Sequence, residues 1–336
     1  MNKTWLYLAV MVALGVLTYF VVFKKNDNVF GSDEVNFNVK DVSKITTIFL
    51  SNLQNENIKL SRKAGSWILN DSVSVRLDAV QLLLEAFEKQ HAQQPVAVGY
   101  HDAAIRDLSS NSTKVEIYCG DDKTNTFYVS RNPGAGNVTY MLNEGAKRPY
   151  VVKLRLTENF IGARYFTNFD LWRDRKILYA PAPIEHVELS YVDSSKYNFT
   201  IDKVGDQYSV VGGYTETRSL NIKRVESYLK LLDGIFCFGF ENTNALKEPI
   251  LQSGRKLGSI IVKRKGVNAQ SLTFYFREQD KGTKATIDLG GVKYDFDSFF
   301  GWLNEKDFIL LSRQTAEKML RLFPEFYEVD QKISNP

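Results

Sequence analysis

From residue 35 onward, apolar and polar positions alternate in short runs broken by turn residues. Residues 45–50 (ITTIFL), 58–62 (IKLSR) and 65–69 (GSWIL) read as three strands separated by Asn- and Gly-containing turns. Leu77, Val80, Leu83, Leu84 and Phe87 then recur at helical spacing, which predicts a helix with one apolar face. The same succession returns later: residues 184–189 (IEHVEL), 199–201 (FTI) and 207–211 (QYSVV), then Ile222, Val225, Leu229 and Leu232. The offsets are 139 from Ile45 to Ile184, 141 from Trp67 to Tyr208 and 145 from Val80 to Val225.

The matching continues. Residues 115–118 (VEIY) align with 259–262 (SIIV), 126–129 (TFYV) with 273–276 (TFYF), and 149–152 (PYVV) resemble 293–296 (KYDF). Both copies close on Ile-Leu in a charged setting, at 173–178 (RDRKIL) and 305–310 (EKDFIL). An ordered series at near-constant offset is the signature of an internal duplication. The pattern predicts an α+β fold: two tandem repeats of a mainly antiparallel sheet with packed helices, at residues 35–180 and 181–313. Pro181 and Pro183 mark the junction, and residues 314–336 form a C-terminal helix and tail.

Residues 5–23 break the alternation with an uncharged 19-residue run, WLYLAVMVALGVLTYFVVF. As a helix it would span about 28 Å, close to the hydrocarbon core of a bilayer. Trp5, Tyr7, Tyr19 and Phe23 are apolar or interfacial residues of this run, and Lys24 and Lys25 lie at its far edge. The run is longer than a signal-peptide core and no A-x-A-like site follows it. The expectation is therefore a transmembrane helix at residues 1–25, contacting membrane lipid, with a linker at 26–34. Lysines flank both ends, so the positive-inside rule does not orient it; the scarcity of Cys favours a body outside the cytoplasm.

Charge sharpens this division. The chain has 43 Lys and Arg against 39 Asp and Glu, a formal charge of +4. Lys3, Lys24 and Lys25 fall within the first 25 residues, which hold no acid, so the rest carries 40 bases against 39 acids. Nucleic-acid binders draw affinity from a basic surface, so a nucleic-acid partner is not expected.

Candidate chemistry is sparse. With 3 His and 2 Cys there is little material for a metal or redox centre, and His91 and His101 do not stand at a ligand spacing. No G-x-S-x-G, S-x-x-K or H-E-x-x-H motif occurs, and the glycines at 134 and 136 and at 212 and 213 read as turns. No catalytic residue, metal or cofactor is assigned. One aromatic and arginine-rich stretch stands out: Phe160, Arg164, Tyr165, Phe166, Trp172, Arg173 and Arg175. These types dominate binding hot spots, so they are candidates for a partner surface or for packing between the two units. The basic run 253–266 reads as a hairpin with solvated Lys and Arg.

Certain spacings carry a resemblance. Phe37, Val39, Asp41, Ile45 and Ile48 form F-x-V-x-D-x-x-x-I-x-x-I, and Ile58, Leu60, Arg62, Trp67 and Leu69 form I-x-L-x-R-x-x-x-x-W-x-L. With the segment 172–178 (WRDRKIL), the layout over residues 35–313 resembles the bacterial family called domain of unknown function 4340, in a version similar to members from Bacteroidetes. Such domains resemble portions attached to auxiliary subunits of gliding-associated ABC transporters. The resemblance implies an inner-membrane anchor, a periplasmic body and a protein partner in the cell envelope; it supplies no catalytic residue. Two functions follow as expectations. One is a non-enzymatic scaffold of a transport, secretion or gliding machine. The alternative is an envelope enzyme or a small-molecule- or glycan-binding protein with a site in the cleft between the units.

Overall fold

The computed structural model describes residues 34–154 and 160–328. It is mostly β, with 42% strand and 23% helix. This corrects the α+β expectation. The helices are short and lie singly on large antiparallel sheets, so the sheets carry the core. The chain divides into two compact units between Asp174 and Arg175.

Unit 1 contains β1 (Thr47–Ser51), β2 (Asn57–Lys63), β3 (Ser66–Leu69), β4 (Val73–Ser74), α1 (Leu77–Lys89) and β5 (Gln90–Pro95). Then come α2 (Val98–Ser110), β6 (Ser112–Cys119), β7 (Asp122–Ser130), β8 (Thr139–Asn143), β9 (Tyr150–Leu154) and the single turn α3 (Phe169–Trp172). The sheet order is β4-β3-β2-β1-β6-β7-β8-β9-β5. Alternation sends Ile48, Leu50, Ile58, Leu60, Val115 and Ile117 to one face, where Val80, Leu83 and Phe87 of α1 close the core. On a second, smaller cluster, α2 lays Ala104 and Leu108 against Tyr140 and Val151.

Unit 2 contains β10 (Ile184–Tyr191), β11 (Phe199–Val204), β12 (Gln207–Gly212), α4 (Ile222–Leu232), β13 (Gly239–Phe240) and α5 (Lys247–Ser253). After these come β14 (Lys256–Arg264), β15 (Gln270–Glu278), β16 (Thr286–Leu289), β17 (Val292–Leu303), β18 (Asp307–Ser312) and α6 (Arg313–Met319). The sheet order is β12-β11-β10-β14-β15-β17-β18-β13, with β16 paired to β17. Apart from β4 in one unit and β16 in the other, the two sheets follow the same path. Each is closed by an equivalent strap. Arg76 N donates to Trp172 O at 2.8 Å and Asp174 N to Ser74 O at 2.9 Å. In unit 2, Asn221 N donates to Phe326 O at 2.9 Å and Glu328 N to Ser219 O at 2.9 Å.

The register departs from the sequence alignment in places. Leu50 pairs with Val115, and Leu189 pairs with Ile260, so Ile260 rather than Ser259 stands in the place of Val115. A one-residue slip would turn every side chain of β14 to the opposite face, and burial of Ile260 and Val262 decides the matter. Tyr150 and Tyr294 lie on β9 and β17, strands that hold different places in the two sheet orders. The segment 172–178 is divided: Trp172 packs in the first core, Ile177 and Leu178 in the second. Arg264, read as a solvated hairpin residue, is 2% exposed. Its Nη1 and Nη2 bind the carbonyls of Ala182 and Leu178 at 2.9 and 3.1 Å, and Asp233 pairs with it at 2.8 Å. It thereby ties the start of unit 2 to β14.

The expectation of a single-pass inner-membrane protein with a periplasmic body is also corrected. No helix among the described residues is long and apolar enough to cross a membrane. The longest are α1 and α2 at 13 residues each, against the ~20 apolar residues a span requires. The run bearing Trp5, Tyr7, Tyr19, Phe23, Lys24 and Lys25 lies outside the described residues.

Candidate functional site

The stretch singled out in the sequence is drawn largely into the interior of unit 1. Ile161 N donates to Thr139 Oγ1 at 2.6 Å and the Tyr165 carbonyl accepts from Thr113 Oγ1 at 2.8 Å, which pins the segment to the sheet. Tyr165 is buried with its ring 6.0 Å from Phe87 and 6.2 Å from Phe127, and its hydroxyl donates to Gln90 Oε1. Burial pushes that phenol well above its usual range. Phe166 stacks on Trp172 at 4.3 Å, and the Trp172 Nε1 donates to the Phe166 carbonyl at 2.8 Å. Arg164 Nη1 binds the Leu82 carbonyl at 2.9 Å and Glu85 at 3.1 Å. Phe160 is half-buried beside Gly162. Arg173 pairs with Asp170 at 3.2 Å, while Arg175 belongs to unit 2, where its carbonyl accepts from Cys237 N at 2.9 Å. These residues therefore form two groups in two units.

The solvent-facing aromatics lie elsewhere. Residues 235–240 (IFCFGF) run along the margin of the unit 2 sheet, bridging Lys176 at Phe236, bending at Phe238 and ending in β13. Ile235 and Cys237 turn into the core; Phe236 and Phe238 turn outward, 51% and 65% exposed. The backbone is held on both sides. Ile177 N donates to Ile235 O at 3.0 Å, Cys237 N to Arg175 O at 2.9 Å and Phe238 N to Leu310 O at 2.8 Å. The two rings therefore project from a backbone fixed at Ile235, Cys237 and Phe238.

Beside Phe238 is a cavity of about 270 Å³ whose lining includes Leu310, Arg277, Asp295 and Ser298. Asp295 is 6% exposed and satisfied: it accepts from Arg277 Nη1 at 3.2 Å, Ser298 Oγ at 2.9 Å and Asp297 N at 2.8 Å. Arg277 also binds Asp280, whose carboxyl is held below its usual range by the Gly282 N–H first and by Arg277 second among the stabilising contacts. The arrangement offers aromatic surface next to a fixed, paired arginine and carboxylate. It suits recognition of a mixed apolar and polar surface. The sequence signal for it is a run apolar at every position from Ile235 to Phe238, where a margin strand should alternate.

Other candidate chemistry is dispersed. His186 Nδ1 lies 2.8 Å from Asp202 Oδ1 across β10 and β11, and His101 lies 3.3 Å from its neighbour Asp102. His91 lines a cavity of about 190 Å³ beside Gln90 and Tyr150. Cys119 and Cys237 form no disulfide. No group of three or more metal-ligating side chains occurs among the described residues. Comparison of the chain with protein-family models, curated proteins and solved structures returns no match in any of the three.

Proposed function

We propose that the protein is a non-catalytic interaction module that holds a protein partner at the margin of the unit 2 sheet. The observation that carries this reading is the outward projection of Phe236 and Phe238 from a backbone hydrogen-bonded on both sides. Exposed aromatic pairs on a fixed frame cost little side-chain entropy to dock, and Phe is among the residues enriched at protein interfaces. The Arg277–Asp295 pair, which lines the cavity beside Phe238, gives a polar border that selects among apolar partners. The resemblance noted for residues 35–313 supports a partner from a transport, secretion or gliding machine of the cell envelope.

Affinity purification of the intact chain and of a Phe236→Ser/Phe238→Ser variant tests the reading. A defined protein should be recovered with the intact chain and lost with the variant. The unfolding transition should not move, because both rings already face solvent. Recovery of the same proteins by both chains, or of the chain alone, overturns the reading.

A further inference from the structure

The duplicated framework exposes a difference between the two units at one helix face. The strap bonds set Arg76 and Asn221 in equivalent places ahead of α1 and α4. Counting on from them, Lys223 stands where unit 1 has Asp78, Arg224 where it has Ala79 and Ser227 where it has Leu82. In unit 1 this face is closed. Asp78 pairs with Arg76 at 2.5 Å, Ala79 is buried, and Arg164 lies across the Leu82 carbonyl and Glu85.

In unit 2 the same face opens as a cleft of about 460 Å³ between α4 and the 3-10 turn Phe323–Phe326. Its cationic lining is Lys223, Arg224 and Arg321, and the acid among the lining residues is Glu325. Glu325 is already engaged: Oε1 accepts from Leu322 N at 2.8 Å and Oε2 lies 3.4 Å from Arg321 Nη1. The Arg224 guanidinium is anchored by Nη1 alone, to the carbonyls of Glu325 and Tyr327 at 3.1 and 2.8 Å. Lys223 is exposed and has no carboxylate partner among the described residues. The apolar surface of the cleft is the side of Leu231, 38% exposed; the rings of Tyr228 and Phe326, 5.4 Å apart, lie buried beneath it. The Tyr228 hydroxyl is committed to the Met319 carbonyl at 2.9 Å, which fixes the floor of the cleft.

We propose that this cleft binds an organic anion, a carboxylate or phosphate group attached to an apolar body. The anionic group would sit on Lys223, Arg224 and Arg321, and the body against the exposed side of Leu231. Charge-assisted bonds from guanidinium and ammonium groups are the strong ones, and a guanidinium pre-set by backbone carbonyls loses little freedom on binding. The size is that of a small-molecule site. The proposal is independent of the partner surface at Phe236 and Phe238, since it rests on other residues and another element.

Isothermal titration of the full chain with 1-naphthoate, 1-naphthyl phosphate and the neutral 1-naphthalenemethanol tests it. One of the two anions should bind saturably at one equivalent and at least about tenfold more tightly than the neutral analogue. A clear preference for the phosphate or for the carboxylate then assigns the anionic group. Lys223→Glu should weaken binding at least about tenfold. Lys230→Glu, the same charge change on the same helix but outside the cleft, should alter it less than about twofold. Arg321→Gln is the second variant should Lys223→Glu disturb folding. Equal binding of charged and neutral analogues, unchanged binding by both cleft variants, or no saturable binding of either anion below about 10 mM overturns the proposal.

Discussion

At the scale of single residues, Trp172 has no exposed surface, packs face to face on Phe166 and satisfies the Phe166 carbonyl through its indole N–H. Trp172→Ala removes the ring, leaves a void and strips a buried acceptor of its donor. It is expected to lower the unfolding free energy of unit 1 by about 3–5 kcal/mol, read from the urea midpoint. An unchanged midpoint would refute the packing described. Glu216 shows a different residue-level effect. Hydrogen bonds from the Arg218 side chain, with its backbone N–H and that of Thr217, hold the Glu216 carboxyl at about 2. A carboxyl lowered on folding adds stability that is present above its ordinary value of 4.5 and lost as pH falls through about 2. Glu216→Gln should therefore be less stable than the parent at neutral pH, with the gap closing as pH falls through that window. Denaturant midpoints measured at several pH values give the answer, and a gap independent of pH would contradict the linkage.

At the scale of elements, the period-two and helical patterns are local properties, and they place β1, β2, β3 and α1, and again β10, β11, β12 and α4, close to where the structure has them. The register of β14 on β10 is not local. Residues 259–262 are apolar at three successive positions, so the sequence offers two faces and only the neighbouring strand chooses between them. The extra hairpin of β16 and β17 follows from turn geometry that the alignment of KYDF with PYVV obscured. Strand margins also differ between the units. In unit 1, β3 is covered by β4, whereas no strand among the described residues pairs with the outer side of β12. Val211 there is 61% exposed on a margin of the kind that recruits other chains. Val211→Lys should leave stability within about 0.5 kcal/mol while raising the concentration at which the protein begins to aggregate, read by light scattering. Earlier aggregation of the variant would show that this margin is not the exposed liability described.

At the scale of the whole molecule, each unit has its own apolar cluster, one running from Phe37 to Trp172 and the other from Ile177 to Tyr327. Fragments 34–174 and 175–328 should each unfold cooperatively when produced separately. Trp172→Ala should shift the first transition and have no counterpart in the second, as read by circular dichroism. Loss of cooperative unfolding in either fragment would mean that its own cluster does not suffice.

The sequence by itself determined β1 to β3 with α1, and β10 to β12 with α4, because the spacing of apolar residues is set by backbone geometry alone; it did not show α2, whose buried face is only Ala104 and Leu108. The tertiary structure decided which aromatics are buried. Phe166 and Trp172 look as exposed in sequence as Phe236 and Phe238, but the first pair meets the core of unit 1 and the second meets none. It also decided that this helix face is crossed by Arg164 in unit 1 and opens as a cleft in unit 2, although the offset of 145 already sets Lys223 opposite Asp78 in the sequence. Burial and electrostatic setting depend on neighbours distant along the chain, and no local periodicity encodes them.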